Sequence, residues 1–250
     1  MALSEIAREN HDALFPQPVS GLSATDPELV EYFGNFAFDE VLRSGDLEPR
    51  TRLIVQLSAL IGSGSLREFR ILLGGALTIG LTPVEAKEMV YQSVAYVGMG
   101  RAIDFVHATN DVLTERGVEL PLAGQSTTTP DDRAEKGLAV QKQIVGADAV
   151  DALYAEAPAD EQHIQQLLSA NCFGDHYTRT GLDLQTRELV TLAILIALGG
   201  ADPQVKGHVV ANLNVGHDRA LLLTVITQLL PFVGYPRTLN ALRALDEVTL

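Results

Sequence analysis

The second half of this 250-residue chain restates the first, and a fold that houses it must contain the same unit twice. Gly80, Gly98 and Arg101 recur as Gly216, Gly234 and Arg237, each displaced by 136 residues. Around them, Tyr96-Val97-Gly98-Met99-Gly100-Arg101 answers Phe232-Val233-Gly234-Tyr235-Pro236-Arg237. Upstream, Gly45 to Arg52 answers Gly181 to Arg187 with a one-residue gap. We read residues 1–119 as one unit, 120–132 as a linker and 133–250 as the second unit. The linker reading rests on Leu120 to Asp132, which holds Gly-Gln-Ser-Thr-Thr-Thr-Pro and has no apolar period.

Helical periodicity dominates both units, and alternating β-branched runs are scarce, so the fold class is all-α. Thr82-Pro83-Val84-Glu85 is a helix start, with a capping threonine, a proline in the first turn and a reciprocating glutamate. That helix is expected over Pro83–Tyr96. In the second unit, helices are expected near Gln185–Leu198, Pro203–Val215, Asp218–Leu230 and Pro236–Val248. Lead-in helices precede each unit, near Pro27–Arg43 and Asp160–Arg179, and a further amphipathic run spans Ala134 to Ala155. The segment Arg187–Leu198 is apolar nearly all round. Such a helix is expected in a bundle core or a subunit interface. The interface is the more economical burial for a chain of this size, so a homo-oligomer is expected.

A net charge of −14 disfavours nucleic acid and anionic membrane surfaces as partners. Cys172 is the only cysteine, which excludes an intrachain disulfide and any Cys-x-x-Cys motif. Met1 to Asn10 carries no apolar core of a signal peptide, and Leu189 to Leu198 is too short to span a bilayer. The expectation is a cytoplasmic protein.

Four segments of the second unit together resemble the carboxymuconolactone decarboxylase family. Arg133-Ala134-Glu135-Lys136-Gly137-Leu138 is similar to its Arg-x-Glu-Lys-Gly-Leu opening. Phe173-Gly174-Asp175 and Arg179-Thr180-Gly181-Leu182-Asp183 resemble its Phe/Trp-Gly-Glu and Arg-Pro-Gly-Leu-Asp elements. Thr186 to Ala193 resembles its Thr-Arg-x-Leu-Val-Thr-Leu-Ala helix. His208, Ala211, Leu213-Asn214 and Gly216 fit its His-x-x-Ala-x-Leu-Asn-x-Gly helix. The first unit, about Pro27–Gly117, resembles the family more weakly. The resemblance implies two tandem alkylhydroperoxidase D-like helical repeats, no cofactor, a small-molecule substrate and a homotrimer. In that trimer six repeats would stand where single-repeat members place six chains.

The same resemblance implies a role for His208, which stands at the family's active-site histidine. An imidazole can both take and give a proton near neutral pH. Decarboxylation of a lactone acid leaves a carbanion that must be delocalised and then protonated, which histidine can do without a cofactor. Glu188 is the expected partner that orients His208; the alternative is a first-turn acid favoured by the helix dipole. Asp175 replaces a family glutamate and is one methylene shorter, so it is a third acid–base candidate. Arg187, Cys172 and His176 are candidate substrate contacts. Cys172 and His176, four apart, could pair to activate a thiolate, but two ligands are too few for a stable metal site. Arg187 could instead pin a neighbouring helix, as Arg52 would in the first repeat. His217 is expected to be solvated.

The first repeat lacks this equipment. The His208 position falls at Leu72 or Leu73, and the Glu188 position at Leu53 or Arg52. It is expected to be a scaffold repeat that walls the pocket of the second. A thiol peroxidase is disfavoured, because Gly200-Ala201-Asp202-Pro203-Gln204 occupies the place of its cysteine pair. The family's His-x-Arg reads His208-Val209-Val210, and its Asn-Asn-Gly reads Asn214-Val215-Gly216. These losses point to a substrate less charged than carboxymuconolactone. The reading is a cofactor-free lyase or isomerase acting on a small lactone or organic acid. The alternative is a non-catalytic oligomeric scaffold or binding protein.

Overall fold

The computed structural model describes residues 3–16 and 21–250. Of the Met1–Asn10 segment, the first two residues lie outside that range. Fourteen α-helices are described, with no strand and no helix long and apolar enough to cross a membrane. The first repeat runs α1 (Glu5–Leu14), α2 (Leu22–Thr25), α3 (Pro27–Phe38), a 3₁₀ turn (Glu40–Ser44), α4 (Pro49–Ser63), α5 (Leu66–Thr78), α6 (Pro83–Val97) and α7 (Met99–Glu115). After the linker come α8 (Arg133–Val145), α9 (Ala147–Glu156), α10 (Gln162–Leu167) and a π-helix (Leu168–Tyr177). The second repeat closes with α11 (Leu184–Leu198), α12 (Asp202–Asn214), α13 (Arg219–Val233) and α14 (Tyr235–Thr249).

The duplication seen in sequence is carried into backbone geometry. Helices α4 to α7 repeat as α11 to α14. Gly80 and Gly216 close α5 and α12 at φ +102° and +100°, a left-handed conformation that strains other residues. The Thr82 capping box forms as expected: Thr82 Oγ1 accepts from the Glu85 amide at 3.3 Å, and Glu85 Oε2 accepts from the Thr82 amide at 2.8 Å.

The repeats are interleaved rather than side by side. Helices α4 and α11 pack against each other at the centre, α6 of the first repeat covers α11, and α13 of the second covers α4. Gly62 permits the central crossing, since a Cβ there would stand 2.5 Å from the Ile194 carbonyl oxygen. Matching glutamines seal the two crossings. Gln92 of α6 donates to the Arg187 carbonyl at 2.7 Å, and Gln228 of α13, 136 positions later, donates to the Gly45 carbonyl at 3.1 Å.

This interleaving corrects one expectation. Every residue from Arg187 to Ala197 is buried, and the chain's own α4, α6, α12, α13 and α14 bury them. Duplication supplied the apolar partner that a single repeat would have to find in another subunit. The apolar character of α11 therefore says nothing about a subunit interface.

The lead-in of the second repeat also differs from expectation. Instead of one α-helix over Asp160–Arg179, α10 passes into ten residues of π-helix. Runs of π-helix this long are rare, and π geometry often marks functional sites. Here α8 lies against it so closely that Gly137 and Gly174 leave no space for a Cβ. At Gly137 that atom would fall far inside contact distance of the Ser169 carbonyl oxygen and 2.6 Å from the Gly174 nitrogen. Gly137→Ala is expected to cost about 1–3 kcal/mol, because backbone rather than a movable side chain must give way. Thermal unfolding that is unchanged by this substitution would show that the close crossing is dispensable. The Ala134–Ala155 run is likewise two helices, α8 and α9, broken at Gly146.

Candidate active site

Helix α11 places Glu188 in its second turn, not its first, because the Asp183 carboxylate caps the helix one turn earlier, accepting from the Thr186 amide at 2.7 Å. The macrodipole explanation for this acid therefore weakens, since the effect fades beyond the first turn. Glu188 is instead wholly buried, with each carboxylate oxygen held by a different side chain. Oε2 lies 2.8 Å from His208 Nδ1, and Oε1 accepts from the Tyr177 hydroxyl at 2.7 Å.

Proton counting sets direction in this network. Tyr177 has one hydroxyl proton and gives it to Glu188, so its oxygen accepts from its neighbours. Those neighbours are Thr191 Oγ1 at 2.7 Å and the Tyr96 hydroxyl at 3.0 Å. Thr191 Oγ1 in turn accepts from Gln92 Nε2 at 2.8 Å. Burial raises the pKa of both tyrosines well above the ordinary phenol value, with the nearby acidic groups adding to the effect. They stay neutral donors, and the chain Gln92–Thr191–Tyr177 ends on a carboxylate that needs donors.

With Glu188 as the carboxylate, His208 Nδ1 donates and the other ring nitrogen is left for chemistry. Nε2 makes no hydrogen bond among the described residues, and the His208 side chain keeps 18% of its surface open. The Tyr96 ring meets the imidazole edge-on, centroids 5.9 Å apart. Asn212 ties α12 to α11 by donating to the His208 carbonyl at 2.7 Å and the Glu188 carbonyl at 3.2 Å. Its Oδ1 accepts from His217 Nδ1 at 2.9 Å. His217 is thus half-buried and bonded rather than free in solvent, and burial lowers its pKa.

The remaining candidates lie apart from this pair. Asp175 pairs with Arg133 Nη2 at 2.7 Å and accepts from Asn171 at 2.9 Å; no hydrogen bond joins it to His208 or Glu188. Arg187 has no exposed surface. Its guanidinium donates to Glu88 at 2.9 Å, Gln92 at 2.9 Å and the carbonyls of Leu182 and Arg179 at 3.2 and 2.9 Å. A substrate does not reach it, so the substrate-contact expectation gives way to the helix-pinning one. Burial lowers its pKa, and Glu88 opposes the shift. His176 is half-buried, with a pKa lowered by burial, and its Nδ1 has no partner among the described residues.

Cys172 lies 3.7 Å from the Tyr96 hydroxyl and is not bonded to His176. Burial pushes its thiol up to about 11. The activated-thiolate reading is thereby corrected: in a desolvated site the thiol holds its proton. A thiol raised from 9 to 11 carries roughly 100-fold less thiolate at pH 8. Iodoacetamide is therefore expected to alkylate native Cys172 at least about 100-fold more slowly than the unfolded chain at that pH. Comparable rates in the two states would contradict this.

Tyr96 and Tyr177 were not singled out by sequence reasoning. Tyr96 comes from the first repeat, so the site spans both. One signal was available: in the repeat alignment Tyr96 stands opposite Phe232, a polar group on one side only. Matching helix bounds also settle the first repeat's counterparts as Leu53 for Glu188 and Leu72 for His208. Leu53 and Leu72 share an apolar cluster with Leu14 and Phe15, against which Phe232 packs. The mirror-related site is filled with hydrocarbon.

The model of the carboxymuconolactone decarboxylase family matches residues 27–111 and again residues 162–247. The chain belongs to the carboxymuconolactone decarboxylase family. It is 30% identical over 118 residues to 4-carboxymuconolactone decarboxylase of Acinetobacter baylyi, covering 47% of this chain and 87% of that protein. Nearly the whole relative thus corresponds to less than half of this family member, as a tandem duplication requires. The two family matches confirm the paired all-α repeats expected from the 136-residue offset.

Proposed function

We propose that this family member is a cofactor-free lyase or isomerase acting on a small lactone or organic acid, with His208 as the proton donor. The observation that carries the reading is the Glu188 carboxylate, buried and held by Tyr177, set 2.8 Å from His208 Nδ1 while Nε2 is unengaged. In decarboxylation of a lactone acid the bond to the carboxylate carbon breaks and carbon dioxide leaves. The electron pair passes into the conjugated lactone. His208 enters this step as the imidazolium, with Nδ1–H held by Glu188; its Nε2–H protonates the carbanion carbon, leaving the neutral Nδ1–H ring, and Nε2 then regains a proton from solvent. In an isomerisation Nε2 would first remove a proton and then return it.

Arg187 is buried against Glu88, and the position two residues after His208 is Val210, so the site carries few cations for a doubly charged acid. This supports a substrate less charged than carboxymuconolactone. The test is to incubate the purified protein with 4-carboxymuconolactone and with a monocarboxylate lactone analogue, following loss of the substrate spectrum. Turnover of either that depends on His208 supports the reading. No turnover of both would favour the scaffold alternative.

The assembly we propose is a homotrimer. Met99 and Ile103 at the start of α7 are 56% and 39% exposed, and their counterparts Tyr235 and Leu239 on α14 are 62% and 57% exposed. Two like apolar faces on one chain suit a closed ring of alternating repeats. Light scattering is expected to give three times the 26.9 kDa chain mass; a monomer would overturn the ring.

A further inference from the structure

A cavity lined by none of the residues of the His208 network lies between α6, α7 and the linker. It is open to solvent on one side and has a volume of about 370 Å³, within the range of small-molecule pockets. Lys87, Glu88 and Tyr91 of α6, Asn110 of α7, linker residues 120–125 and Arg179 form its walls, and the Glu88 carboxylate is engaged by Arg179 and Arg187. Lys87 is only 9% exposed, yet no carboxylate lies within ion-pairing distance of it among the described residues. Its ammonium makes one hydrogen bond, to Asn110 Oδ1, and two of its protons have no protein acceptor. Burial lowers its pKa. An enclosed cation without a counter-charge is unfavourable, and an anion beside it would relieve that.

Arg179 supplies the second cation. Its Nε and Nη2 are held by Glu88 at 2.8–2.9 Å, and its Nη1 has no partner among the described residues. Glu88 also serves Arg187, so one carboxylate is shared between two guanidinium groups while Lys87 has no carboxylate partner, in a protein whose net charge is −14. Both Lys87 and Arg179 stand over the Tyr91 ring, at 5.7 and 5.4 Å from its centroid. Val84, Leu120, Pro121 and Leu122 supply apolar wall.

We propose that this cavity is a binding site for a small organic carboxylate with a planar apolar body, separate from the His208–Glu188 pair. The carboxylate sits between Lys87 Nζ and Arg179 Nη1, and the body lies against Tyr91 and the Leu120–Leu122 wall. The site has no twin. The positions matching Lys87 and Tyr91 in α13 are Leu223 and Thr227, so the second repeat carries neither the cation nor the ring.

Isothermal titration of the full chain with benzoate, benzamide and inorganic phosphate tests this. Benzoate is expected to bind at least about tenfold more tightly than benzamide, which lacks the charge, and than phosphate, which lacks the body. Lys87→Met, which keeps the buried stem, is expected to weaken benzoate by about tenfold or more without lowering the melting temperature. Tyr91→Leu keeps both cations and is expected to weaken benzoate several-fold. His208→Ala is expected to bind benzoate as the unmodified protein does. Absence of benzoate binding, equal affinity for benzamide or phosphate, undiminished affinity in both α6 variants, or loss of affinity in His208→Ala would each overturn the proposal.

Discussion

On the proposed lyase or isomerase reading, replacing His208 with alanine is expected to lower kcat by about 10²–10⁴-fold, the usual share of a positioned acid–base group. KM should change little, because Nε2 meets the developing carbanion rather than anchoring the ground state. A fall in kcat and in kcat/KM by the same factor is the signature of a contact made only in the transition state. Glu188→Gln keeps the volume and an acceptor oxygen but removes the charge that holds Nδ1–H in place. It is expected to lower kcat by about 10- to 100-fold, as loss of an orienting partner does. Activity that survives His208→Ala, in a variant with native helicity, would remove His208 from the mechanism. A Glu188→Gln variant as active as the original would reduce Glu188 to a packing role.

Removing Glu88 is expected to be the most damaging single change to stability. Glu88 is 1% exposed and neutralises Arg187, which has no exposed surface, while Arg179 holds its other side. Glu88→Ala leaves the Arg187 guanidinium buried and uncompensated, at a cost of about 3–5 kcal/mol. For a chain of this length that is a fall in melting temperature on the order of 10 °C. Arg179, 17% exposed, can turn to water and adds little to the loss. The combined replacement Glu88→Leu with Arg187→Met removes both charges and is expected to recover roughly half or more of the loss. A Glu88→Ala protein that melts within a degree of the original would show that water or a shifted neighbour satisfies Arg187. Because Glu88 belongs to α6 and Arg187 to α11, the same measurement reports how strongly the two repeats depend on each other.

The sequence carried the repeat, the helix starts and stops, and the His208–Glu188 pair. Each is written in local chemistry: a capping threonine, a glycine at positive φ, a histidine at a fixed place in a helix. Side-chain environment was not legible in the same way. The sequence left Arg187 open between a substrate contact and a helix pin, with Arg52 favouring the pin; its surroundings are set by Glu88 and Gln92, more than ninety residues away. Cys172 and His176 looked paired because they are four apart in a helix. The π-helical turns and the crossing of α6 put Tyr96, not His176, beside the thiol.

The 136-residue offset already determined that one unit is built twice and that only the second carries a glutamate and a histidine at the positions of Glu188 and His208, since glycine turns and residue types are local properties. Only the tertiary structure decided that the units interleave, so that α11 is buried inside the chain rather than between subunits. It likewise decided that a tyrosine of the first repeat completes the site of the second. The physical reason is that an apolar helix and a buried charge must each find a partner. Sequence states the need, but the packing of distant helices selects the partner.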